Sequence, residues 1–275
     1  MHPRERTSRT STLWPPLEVR QVCDTYLSLV DEAAPGLVEG LYLHGSLGFG
    51  EWYAGRSDID FVAVTADRPG AGTTALLRDV HDRLGETFPN PSFDGFYVTW
   101  PDLARPTGSC PDVPCTLGGE FRGEGRFDVN PVTWHELAWH GETMRGPGLE
   151  RVDVWTDLQV LRDYSHGNLT SYWQELADAL RRFPAEAAKP ESVAWVVLGV
   201  PRLHHLLATD RLTSKDGAGR HAVEAFGEQW RILVAEALSY RATGERVGVL
   251  PDEELAAQLM DFAQLAVKES LAITP

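Results

Sequence analysis

Apolar and polar positions change period several times along the chain. After Pro15-Pro16, the residues Leu17, Val22, Tyr26, Leu29 and Val30 recur at helical spacing as far as Pro35-Gly36, which predicts a first helix. Leu41-Tyr42-Leu43 and Phe61-Val62-Ala63-Val64 are short apolar runs of strand length. Ala71 to Thr87 returns to helical spacing through Leu76, Leu77, Val80 and Leu84 and stops at Pro89-Asn90-Pro91. Phe93 to Trp100 is again strand-like. Strand, strand, helix, strand predicts a compact mixed sheet.

Pro101 to Val129 is rich in Gly, Pro and Asp and has no period, so an irregular connection is expected there. Within it, Leu117-Gly118-Gly119-Glu120-Phe121-Arg122 is expected to be a loop along a cleft, Glu120 offering a charge and Phe121 a stacking face. Pro131 to Met144 predicts a helix with Trp134, Leu137, Ala138 and Trp139 inward, ended by Gly146-Pro147-Gly148. From Asp157 onward the pattern is helical almost throughout. Leu158 to Phe183, Ser192 to Ala208, Gly217 to Phe226, Gln229 to Arg241 and Asp252 to Leu271 are separated by Pro, Gly and Thr-Ser breaks. The expected organisation is a flexible tail over 1–13, an α+β domain with a small mixed β-sheet over 14–156, and an all-α helical bundle over 157–275.

Composition narrows the function. The 275 residues carry a formal net charge of -15, which repels nucleic acid and would draw in a small polycation. Three cysteines, Cys23, Cys110 and Cys115, lack the CxxC spacing of a zinc site or the even count of a disulfide framework. The nine histidines show no ligand spacing either, and most are expected at surface or core-edge positions. The start lacks the apolar region of a signal peptide, and no stretch is apolar enough to span a bilayer. A cytoplasmic monomer with no nucleic-acid or membrane partner is the expectation.

The chemistry concentrates in Gly40 to Thr65. Gly45-Ser46 closes the first strand as a tight turn that opens a short helix, where unpaired backbone N–H groups and the Ser46 hydroxyl can meet an anion. After eleven intervening residues, Asp58-Ile59-Asp60 leads into the next strand. Alternation puts Asp58 and Asp60 on one face and Ile59 and Phe61 in the core. Two carboxylates side by side repel unless a cation lies between them, and magnesium suits oxygen ligands completed by water and phosphate. A lone Asp-x-Asp is more often a pair of solvated turn residues. The preceding Gly-Ser turn argues against that.

This arrangement, Leu43-His44-Gly45-Ser46 followed by Asp58-Ile59-Asp60, resembles the DNA-polymerase-β-like nucleotidyltransferase superfamily. The resemblance implies a third carboxylate on a later strand, for which Asp94 in Phe93-Asp94-Gly95-Phe96 is the match. The second half is similar to the helical domain of the aminoglycoside 3''/9-O-adenylyltransferases, through Val197-Leu198 to Arg202-Leu203, Leu212-Thr213-Ser214-Lys215-Asp216-Gly217-Ala218, and the helix with Trp230 and Ala237. Together the resemblances cover most of residues 37 to 245.

What they imply is magnesium-dependent transfer of AMP from ATP to a hydroxyl of an aminoglycoside or aminocyclitol. Asp58, Asp60 and Asp94 would hold two magnesium ions, with Asp94 also the general base. Gly45, Ser46 and Ser57 would bind the nucleotide, and Arg202 and Lys215 would come to the ATP phosphates from the helical domain. The family usually has Glu at the Asp94 position, and Pro201 beside Arg202 is a further departure. Streptomycin-accepting members carry a Trp and an acid where ungapped counting places Phe183 and Ala188 here, so spectinomycin is the favoured substrate. Two other readings stay open: the same chemistry on a metabolite or partner protein, and a catalytically silent nucleotide-binding module.

Overall fold

The computed structural model describes residues 14–274, so the tail expected over 1–13 lies outside the described residues. Contacts divide the chain into two compact units, Met1–Thr156 and Asp157–Pro275. The first is built on a six-stranded mixed sheet and the second is helical.

In the first unit α1 spans Leu17–Ala33, β1 Val38–Leu43, α2 Gly45–Gly48, β2 Ile59–Thr65, α3 Ala71–Thr87 and β3 Phe93–Thr99. α4 (Trp100–Leu103), β4 (Val113–Leu117), β5 (Glu120–Gly125), α5 (Pro131–His140) and β6 (Glu142–Arg145) follow. The strand order is β5-β4-β3-β2-β1-β6. β2 and β3 run parallel, joined through α3, and the other pairings are antiparallel.

Period-two alternation sorts the strand residues onto two faces. Leu41, Leu43, Ile59, Phe61, Ala63, Phe93 and Tyr97 join one core with α1 and α3. Tyr42, Val62, Val64, Phe96 and Val98 join a second core with Trp134 and Leu137 of α5. Burial of each Val, Leu, Ile or Phe side chain among these contributes about 1.5–3 kcal/mol. Phe61 and Phe93 stack at 4.2 Å between ring centroids across the parallel pair. By the same parity Asp60 and Asp94 fall on the α5 face, at the leading ends of β2 and β3.

Four local expectations change. Leu17 is 63% exposed as the first residue of α1, and Val19, two positions on, is buried in its stead. β3 stops at Thr99, whose side chain and Asp102 form a capping box that turns Trp100 into a helix. The Gly-rich stretch after Pro101 is not one irregular connection. Val113 and Cys115 are buried on β4 and pair with β5 across the Gly118-Gly119 turn, so alternation too short to recognise extends the sheet. The helix from Pro131 ends at His140, and Glu142–Arg145 becomes an edge strand on β1 after Gly141 breaks the helix.

In the second unit α6 (Leu158–Asn168) runs through a π turn at Leu169–Trp173 into α7 (Gln174–Arg182). α8 (Pro184–Ala187), α9 (Pro190–Thr209), α10 (Lys215–Phe226), α11 (Arg231–Thr243) and α12 (Asp252–Leu271) complete it. α9 buries Val193, Val196, Val197, Val200 and Leu207 at helical spacing and is the central helix of this core. It continues as one helix through Pro201.

Candidate active site

The turn after β1 is fixed from three sides. Gly45 adopts φ +56°, a left-handed conformation that side chains other than glycine rarely take. A Cβ at Gly45 would lie 2.0 Å from Oδ2 of Asp60, so the turn packs directly on that carboxylate. The His44 N–H donates to the Asp60 carbonyl at 3.1 Å, joining the turn to β2. α2 opens at Gly45, with Leu47 fully buried beneath it and Ser46 half-buried.

Asp58 is exposed just before β2, and Asp60 is half-buried within it. Burial and then the Asp58 carboxylate push Asp60 well above the usual carboxylate range, with Asp128 and Glu136 adding to this and His44 opposing it. Asp94 is the register partner of Asp60 on the parallel strand and is 4% exposed. Its Oδ1 accepts the Gly119 N–H at 3.0 Å from the β4–β5 turn, where Gly118 and Gly119 have φ +60° and +75°. Burial raises the Asp94 carboxyl, the Gly119 and Gly118 amides pull it back, and Asp58 raises it again. The Asp58 carboxylate therefore raises both Asp60 and Asp94, on two adjacent strands.

This donor set fits magnesium. Its oxygens are hard ligands, and the repulsion that Asp58 exerts on Asp60 and Asp94 is what a divalent cation would relieve. Among the described residues, no three His, Cys, Asp or Glu side chains already converge as a metal cage. Magnesium ordinarily takes one or two carboxylates and completes its shell with water and phosphate.

Two neighbours were not singled out from the sequence. Glu136 on α5 is 4% exposed, and its Oε2 accepts both the Gly45 N–H at 3.1 Å and a hydrogen bond with Nδ1 of His44 at 3.2 Å. His44 is 3% exposed. Burial opposes its charge, but the Glu136 hydrogen bond and the carboxylates of Asp60, Glu136 and Asp128 outweigh it and push His44 up to about 9. Glu136 lies ninety-one positions from Gly45, so no local pattern links them. The one sequence signal is a Glu among inward-facing residues of an apolar helix face, next to Trp134 and Leu137.

Other expected site residues fall variously. Phe121 does not offer a stacking face to a cleft. It is 4% exposed, its ring lies 5.3 Å from that of His81 on α3, and Arg78 sits over it at 5.0 Å, because its position on β5 points into the α1–α3 core. Glu120 is exposed and pairs with Arg122 at 3.3 Å. The Ser57 hydroxyl oxygen accepts the Tyr53 N–H at 3.1 Å, closing the loop between turn and strand. Trp52 packs on the same α1 core and donates its indole N–H to Glu18.

In the helical unit, Arg202 is half-buried on α9. Lys215 is the first residue of α10, behind the Ser214 cap, whose side chain accepts the Gly217 N–H at 2.9 Å. Asp216 pairs with Arg241 of α11. Phe183 is 62% exposed at the end of α7, and Ala188 ends α8. Of the histidines in this unit, Nδ1 of His204 lies 2.8 Å from Nε2 of His221.

A glycine turn packed on a strand carboxylate in a mixed sheet makes the first unit an α+β domain, and the unit that follows is helical. Residues 168–268 match the family model of the aminoglycoside adenylyltransferase C-terminal domain. Among solved structures, the chain is similar to the spectinomycin adenyltransferase AAD(9) from Enterococcus faecialis, crystallised with ATP and spectinomycin. That likeness has a TM-score of 0.65 at 13% identity and covers 89% of this chain and 98% of the other. A comparison with curated proteins finds no match. The helical unit thus carries the match to the adenylyltransferase C-terminal domain, and the chain shares the fold of AAD(9).

Proposed function

We propose that the protein transfers AMP from ATP to a hydroxyl of a small cationic aminoglycoside or aminocyclitol, with spectinomycin favoured over streptomycin. The observation that carries this is Asp60, packed under the Gly45 turn and beside its register partner Asp94. The match of the helical unit and the spectinomycin and ATP bound by the AAD(9) relative support the choice of substrates.

In this reading Asp58 and Asp60 hold magnesium, with Asp94 on the neighbouring strand. Bound magnesium would neutralise the triphosphate oxygens and the charge that develops on the leaving pyrophosphate. The acceptor hydroxyl oxygen attacks the α-phosphorus in line, the bond to pyrophosphate breaks, and the hydroxyl proton passes to the Asp94 carboxylate. The Gly119 hydrogen bond to Oδ1 orients Asp94. Ser46 positions the triphosphate, and Arg202 and Lys215 add positive charge for the phosphates. Streptomycin is disfavoured because Phe183 and Ala188 stand where streptomycin-accepting relatives carry a Trp and an acid.

The test is to incubate the purified protein with magnesium, ATP and each drug separately, and to look for an AMP adduct by mass spectrometry. Adduct with spectinomycin alone is expected. Adduct with streptomycin would overturn the preference, and no adduct with either, despite ATP binding, would move the acceptor to another class of molecule. Growth protection against the two drugs checks the same preference in cells.

A further inference from the structure

Most of what the structure brings together outside the carboxylate triad is satisfied within itself. The His204–His221 pair hydrogen-bonds internally, and Glu236 is consumed by the backbone N–H groups of Gly248, Val249 and Leu250. Glu136 is different, because its partners belong to the turn on which the proposed chemistry depends.

We propose that Glu136 is a positioning residue that sets the Gly45 turn and, through it, the Asp60 carboxylate. This rests on the nucleotidyltransferase reading above and names a residue that reading does not use. One of its oxygens, Oε2, takes the Gly45 amide at 3.1 Å and the His44 ring at 3.2 Å. Gly45 in turn lies so close to Asp60 that a single added carbon would reach 2.0 Å from Oδ2. Displacing the turn therefore displaces the carboxylate.

The rest of α5 supports the same contact. A Cβ at Gly48, the last residue of α2, would meet the His140 carbonyl at 3.2 Å, and the rings of Phe49 and His140 lie 4.4 Å apart. α5 thus braces both ends of α2, with Glu136 at the entry and His140 at the exit. β6, which follows α5 directly, pairs with the strand that feeds the turn, so helix, strand and turn form one closed unit. Because the Gly45 N–H is committed to Glu136, the phosphate-facing donors of the turn are left to Ser46 and the residues after it.

Both donors reach one oxygen, so a glutamine carbonyl placed there keeps both bonds while an alanine loses them. The experiment compares Glu136→Ala and Glu136→Gln with the full-length protein in two measurements. They are amide hydrogen exchange at Gly45 by nuclear magnetic resonance, and MgATP affinity by calorimetry. Expected for Glu136→Ala is exchange at Gly45 faster by about tenfold and MgATP binding weaker by about tenfold, with Glu136→Gln within about threefold of the parent in both. A role in global stability alone would leave the MgATP affinity of the folded variant unchanged, and that result overturns the proposal. So does a Glu136→Gln variant as impaired as Glu136→Ala. Should Glu136→Ala fail to fold, Glu136→Asp, whose carboxylate ends one carbon short, reads the same geometry. If the parent protein fails to bind MgATP, the nucleotidyltransferase reading falls, and Gly45 exchange in the variants still decides whether Glu136 holds the turn.

Discussion

Asp60 and Asp94 face each other as register partners across the parallel strands β2 and β3. Neither is on the outer rim of the sheet. Asp60 is half-buried and Asp94 nearly fully so, and both carboxyls are raised by burial and by Asp58. Charge concentrated this way costs stability in the metal-free protein and is useful only where a cation or a transferred proton compensates it.

Asp60→Asn is therefore expected to abolish AMP transfer while raising the thermal midpoint of the metal-free protein. A raised folded-state pKa means that ionising Asp60 costs more in the folded chain than in the unfolded one, so removing the charge relieves that cost. Product formation and a melting curve without magnesium check the two halves. A full-rate variant would remove Asp60 from the metal site.

Gly45→Ala places a methyl group against Asp60 Oδ2 and forces a side chain into φ +56°. The backbone strain alone costs about 1–2 kcal/mol. Expected is a lower urea midpoint together with a loss of AMP transfer larger than the stability loss explains, since the displaced group is the carboxylate. Activity in proportion to the folded fraction would argue against the Gly45–Asp60 coupling.

The sequence carried much of this arrangement because its signals are local. Glycine at a strand end, alternation through Asp58-Ile59-Asp60, and helical periods over Ala71–Thr87 and Asp252–Leu271 each depend on neighbours within a few residues. The β4–β5 hairpin escaped because buried Val113 and Cys115 alternate over too few positions amid Gly and Pro. Phe121 was misplaced with it, since which face a strand residue takes cannot be read until the strand itself is recognised. Glu136 and its bond to Gly45 are long-range, and the His44–Glu136 pair exists only once α5 has packed on the sheet.

Asp94→Asn keeps an oxygen for the Gly119 N–H but has no carboxylate to take a proton. Loss of a general base reduces turnover by about 10²–10⁴-fold. The expected signature is a fall in kcat with little change in KM for the acceptor, measured at saturating magnesium and ATP. Unchanged kcat would assign the proton to another group.

A last expectation concerns acid stability and lies outside the site. His81 is 6% exposed beneath the sheet, its Nε2 2.7 Å from the Tyr97 hydroxyl, which itself lies 2.7 Å from the hydroxyl of Tyr26. Burial lowers its pKa from 6.5 to about 3, so the folded chain keeps His81 neutral where the unfolded chain has already protonated it. Between those two values the unfolded state binds more protons, and stability rises with pH. The slope reaches about 1.4 kcal/mol per pH unit and vanishes above the unfolded pKa, where both states are neutral. His81→Gln keeps a hydrogen-bonding group for Tyr97 and removes the titration. Urea midpoints at pH 5 and pH 7.5 should therefore converge in the variant and stay apart in the parent. An equal pH dependence in both would place the acid sensitivity in other groups.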